Sequence, residues 1–85
     1  MNEQQGVAQT QELTPGQQLV GLTFNPSGDP KVIKAKQLCA DLYDLICEDK
    51  NNRETGALYN DLFDHTRGEI LNAQMNVVKI LTLKY

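Results

Sequence analysis

The feature that most constrains this chain is its last stretch. From Ile70 to Leu83, apolar side chains fall at Ile70, Leu71, Ala73, Met75, Val77, Val78, Ile80, Leu81 and Leu83. Wound into a helix, they are apolar nearly all round, and such a helix has to be covered nearly all round. The chain has only 85 residues to do it with. A chain of that size buries only about 60% of its unfolded surface, so a lone core is marginal. It holds one domain at most and has no room for a doubly wound sheet, a TIM barrel or a two-domain cleft. One partner helix cannot cover the 70–83 segment. We therefore expect other copies of the chain to supply the missing core, in a compact homo-oligomer.

A second helix is readable ahead of it. Asn25-Pro26-Ser27-Gly28 carries turn residues at the positions a β-turn uses them. Asp29-Pro30 then reads as an N-cap with proline at the first helical position. From Pro30 to about Glu48, Val32, Ile33, Ala35, Leu38, Cys39, Leu42, Leu45 and Ile46 recur at gaps of three and four. The polar run DKNNRE, 49–54, ends this helix, and another starts near Thr55 or Gly56. It carries Leu58, Tyr59, Leu62, Phe63 and Thr66 at helical spacing before the apolar run. Gly68 inside it suggests a bend or a close approach. A short polar loop between two long helices implies antiparallel neighbours. The expected fold is all-α, an antiparallel helical hairpin over 19–85. Leu19–Phe24, LVGLTF, is expected as a short strand or extended arm. Residues 1–18, with six glutamines and few apolar side chains, are expected to form a flexible tail.

Composition excludes several function classes. A formal net charge of −3 argues against wrapping a nucleic-acid polymer, and five scattered aromatics build no stacking platform for one. No apolar run reaches the roughly 20 residues of a membrane span. MNEQQGVAQTQ lacks the basic end and apolar stretch of a signal peptide, and no lipidation motif closes the chain. A soluble, intracellular chain is expected. Cys39 and Cys47 on one helix lie about 12 Å apart, too far for a disulfide, and read as free thiols. One histidine and no Cys-His cluster give no zinc site, and no cofactor motif is present. No nucleophile accompanies His65, Asp61 and Asp64, so a hydrolase is not expected.

The charges of the first long helix run against its dipole. Lys31, Lys34 and Lys36 occupy its first turns, while Asp41, Asp44, Glu48 and Asp49 crowd its end. An anion is one explanation. The Pro26-Ser27-Gly28 turn, the helix start and the lysines together suit a phosphate, and Phe24 is placed to stack on one base. The alternative is an ordinary loop beside a solvated lysine face. Asp41 and Asp44 read as a divalent-ion pair or, more simply, as a polar face meeting basic side chains. Arg67 reads as a surface arginine or as a phosphate fork gathered at an oligomer axis.

The segments FNPSGDPKVIKAKQLCADLYDLI, 24–46, and AQMNVVKILTLKY, 73–85, resemble the phage anti-CBASS cyclic-nucleotide sponges, which share a hairpin domain with one class of anti-Thoeris sponge. The resemblance covers roughly 19–85. It implies a helical hairpin assembled into a compact hexamer in the cytoplasm of an infected bacterial host. It implies binding of cyclic dinucleotides between subunits, with cyclic trinucleotides at separate pockets on threefold axes in some members. Neither ligand is cleaved; the messenger is withheld from its effector. Matched by position, the family's dinucleotide lysine is Lys36, and its stacking aromatic is Phe24, where the family carries tyrosine. Arg67 matches the trinucleotide arginine. Lys36 is expected to give a phosphate a charge-assisted hydrogen bond, and its loss to leave the empty protein's stability nearly unchanged or slightly raised, because a lysine near a helix N-terminus opposes the dipole. The competing reading is a small protein-binding inhibitor acting through the acidic face of Asp41, Asp44, Glu48 and Asp49.

Overall fold

The computed structural model describes residues 12–84. Three helices follow one another: α1 (Pro15–Val20), α2 (Pro30–Asn51) and α3 (Ala57–Thr82). The described residues contain no strand. The chain is all-α.

The helix α1 stands where a tail and an extended arm were expected, and the boundary drawn at residue 18 falls inside it. The rest of that expected tail, residues 1–11, lies outside the described residues. Local chemistry explains α1. The Thr14 side chain accepts from Gln17 N–H while the Gln17 side chain accepts from Thr14 N–H, a complete capping box, with Pro15 at the first position. Gly21 ends it at φ 62°, a left-handed conformation that favours glycine.

This helix is held to α2 by a very close approach. A Cβ on Gly16 would lie 2.0 Å from the Ala40 carbonyl oxygen, so only glycine fits there. The Gly16 N–H donates to Asp44 Oδ1 at 2.7 Å, and Gln17 Nε2 donates to Gln37 Oε1 at 3.2 Å. Asp44 thus serves the positive end of α1. Part of the acidic crowding at the end of α2 is thereby explained: its carboxylates answer a helix the pattern did not reveal.

Asp29 caps α2, accepting from Lys31 N–H, and Pro30 opens it. The helix runs on to Asn51, past the expected end at Glu48, because Asp49 and Lys50 are exposed or half-buried helix-compatible residues rather than breakers. At the loop end, α2 and α3 are joined by aromatic contacts. The Tyr43 and Phe63 ring centroids are 5.7 Å apart, those of Tyr59 and Phe63 6.5 Å. Lys50 Nζ sits 4.5 Å from the Phe63 centroid. The Tyr59 hydroxyl donates to Asp49 Oδ2 at 2.6 Å. At the other end, the start of α2 faces the last turns of α3 across a groove lined from both. The two helices therefore run in opposite directions.

The Cα trace spans 49 × 40 × 12 Å. At 12 Å it is one layer of helices thick, so each helix has a side no other helix covers. The buried apolar residues are Val20, Val32, Ala35, Ala40, Phe63 and Ile70. Leu38, Leu42 and Leu45 on α2, and Leu58, Leu62, Met75, Val77 and Ile80 on α3, are exposed. Gly68 meets nothing within 4 Å among the described residues, which do not make the expected close approach. No helix among the described residues is long and apolar enough to cross a membrane.

Candidate functional site

The site is built where the α1–α2 connection folds back over the start of α2. Gly21 turns the chain out of α1, and Phe24 N–H donates to the Gly21 carbonyl at 2.9 Å. The next four residues form the expected β-turn, with Gly28 N–H donating to the Asn25 carbonyl at 3.1 Å and Gly28 at φ 69°. This connection, α2 and the end of α3 enclose a groove of about 430 Å³. That lies within the roughly 300–1,000 Å³ of small-molecule sites. Phe24, Pro26, Ser27 and Lys36, all singled out in the sequence, line it together with Val20, Val32, Gln74, Met75 and Val78. Gly28 is in the same turn but does not line it. Arg67 is exposed on α3, also outside the groove, and close enough to Tyr43 to act on its phenol.

Lys36 is the centre of this arrangement. It is 6% exposed. Its Nζ donates to the Gly21 carbonyl at 3.0 Å and to the Phe24 carbonyl, and lies 5.4 Å from the Phe24 ring centroid. An ammonium has three donors; two hold the backbone that presents Phe24, and one remains. Lys36 is thus buried and bonded to backbone, which the sequence pattern did not reveal. Burying it costs desolvation, which the hydrogen bonds to the two carbonyls of the connection offset. Phe24 is 70% exposed, its ring open to a ligand.

The helix start is not the open anion cradle the sequence suggested. Ser27 Oγ donates to Asn25 Oδ1 at 2.7 Å and accepts from Asp29 N–H at 3.1 Å. Asp29 Oδ1 takes Lys31 N–H at 2.9 Å, and Gly28 N–H is used by the turn. The donors counted on for a phosphate are spent inside the loop. What the groove offers instead is an apolar wall, an open aromatic face, one cation and an amide.

That amide belongs to Gln74, which sequence reasoning missed. It is 4% exposed and lines the groove. Its carboxamide makes no hydrogen bond to the described residues. On sequence alone it is one polar break in an apolar helix; only the packing of the connection against α3 buries it.

The remaining candidates behave as ordinary side chains. His65 Nε2 pairs with Glu69 at 3.3 Å, both exposed. Asp41 accepts from Gln37 at 2.7 Å, and Asp49 from Tyr59 and Arg53. Cys39 and Cys47 are free thiols, and burial pushes the Cys39 thiol up. No protein-family model, curated protein or solved structure matches the chain.

Proposed function

We propose that the chain is a non-catalytic binder of cyclic oligonucleotides, a phage sponge that withholds cyclic di- and trinucleotide messengers from bacterial CBASS effectors. The observation that carries this reading is the groove in which an exposed aromatic face, Phe24, stands 5.4 Å from the Lys36 ammonium. A base stacks on the ring, and the remaining Lys36 donor meets the phosphate beside it. The resemblance of 24–46 and 73–85 to the sponge family names the same two residues.

The oligomer belongs to this reading. A cyclic dinucleotide has two bases and two phosphates, and one groove supplies one aromatic and one lysine. A second copy brings the other half, and the exposed apolar residues of the one-layer fold supply the surfaces that join copies, as in the hexamers of the family. Arg67 lies apart from the groove, as a separate trinucleotide pocket at a subunit axis requires. The competing reading, a protein inhibitor acting through Asp41, Asp44, Glu48 and Asp49, loses ground. Asp41, Asp44 and Asp49 are engaged within the chain.

Titration of variants tests the assignment. Phe24→Ala should weaken cyclic dinucleotide binding by about 1–3 kcal/mol, the worth of a stacked base. Arg67→Ala should weaken cyclic trinucleotide binding and leave dinucleotide binding nearly intact. Equal effects of Arg67→Ala on both ligands would reject two separate pockets.

A further inference from the structure

We infer that Gln74 is the base-reading residue of the groove, pairing through its carboxamide with a nucleobase edge that carries a donor beside an acceptor. The inference rests on the cyclic-oligonucleotide reading and names the feature of the ligand that the groove selects.

Two observations meet at this side chain. It is 4% exposed on the groove wall, and its amide is unpaired among the described residues. Asn60 Oδ1 is the one fully enclosed side-chain polar atom left without a partner there. The Gln74 amide is not among the sealed and unpaired atoms of the described residues, and the residue borders the groove. An amide left unpaired by the described residues on the wall of an otherwise largely apolar groove is the polar group there that a ligand entering it can pair with.

The surroundings say what that partner looks like. Phe24, Pro26, Met75 and Val78 give the groove apolar walls, which suit a flat ring. The carboxamide offers one acceptor and two donors in a plane. It matches an edge with an amino donor next to a ring-nitrogen acceptor, as adenine presents, and Gln pairs with adenine in two bonds for this reason. It cannot satisfy an edge of two adjacent acceptors with both its atoms. Lys36, with two hydrogens committed to backbone, is left to the phosphate rather than the base.

The test needs no variant in its first arm. The parent protein is titrated with cyclic di-AMP and with an analogue whose purines lack the 6-amino group. The analogue should bind about 5- to 150-fold more weakly, the usual range for one base-reading pair. In Gln74→Met, of similar length and without the amide, that difference should vanish while the oligomer mass stays that of the parent. Equal binding of both ligands by the parent overturns the role of Gln74, as does a Met variant that keeps the difference. A parent that binds other cyclic di- or trinucleotides but neither of these two also overturns the role of Gln74, whereas a parent that binds no cyclic di- or trinucleotide at all overturns the sponge reading itself, which separates the two failures.

Discussion

Lys36 shows how one side chain can be identified from sequence and still be misjudged. Its position before LCADL marks it, but its burial and its two carbonyl partners depend on a helix, α1, that periodicity did not reveal. It positions the backbone that presents Phe24, in addition to its proposed role as a phosphate contact. Lys36→Ala should therefore weaken ligand binding and also destabilise the empty protein, by about 1.5–3 kcal/mol, the worth of hydrogen bonds to a charged group. Urea unfolding without ligand measures this; an unchanged midpoint would mean that the two carbonyls are satisfied by water. Gly16 makes a sharper case. With the Ala40 oxygen 2.0 Å from any added Cβ, Gly16→Ala should lift α1 from α2 and cost about 1–3 kcal/mol as an overpacked contact. Hydrogen exchange across 15–20 should speed up before the rest of the chain does.

At the scale of elements, α2 and α3 were legible because each is long enough for several turns of apolar spacing, and because Asp29-Pro30 marks a start. The α1 helix was not, because six residues give periodicity nothing to repeat. Its signals were nonetheless present: Thr14 with Gln17 as a capping box, Pro15 at the first position, Gly21 as a stop. The aromatic contact between α2 and α3 carries its own pH dependence. The hydrogen bond to Asp49, with a smaller contribution from burial, pushes the Tyr59 phenol up. Burial, followed by the neighbouring Cys47 thiol, does the same at Tyr43. A raised folded value means that the folded chain holds these protons more tightly. Their contribution is complete below the ordinary tyrosine value of about 10 and is lost as pH rises through the folded values. Thermal melts should fall in alkaline buffer above about pH 10, and Tyr59→Phe should flatten part of that slope. A slope unchanged in Tyr59→Phe would assign it to Tyr43 and the Cys39 thiol.

For the whole molecule, the 12 Å thickness turns the all-round apolar character of 70–83 into a specific expectation. Ile80 is 71% exposed within one chain, so a charge there harms the assembly rather than the fold of the protomer. Light scattering should give a mass several times 9.5 kDa. Ile80→Asp should lower that mass with helicity retained, and a monomeric parent would remove the reason for the surface. The candidate site was partly legible: the turn, Phe24 and Lys36 stand out by residue type, and the groove brings them together. Gln74 was not, because its meaning comes from burial between elements far apart in sequence, and the anion cradle at the helix start failed because the loop uses its own donors. The central claim is sequestration without chemistry. Its most direct measurement is isothermal titration of the purified chain with a panel of cyclic di- and trinucleotides, followed by release through denaturation. The account predicts saturable binding by the protein alone and recovery of the same intact cyclic nucleotide. No binding across the panel, or recovery of a linearised product, would contradict it.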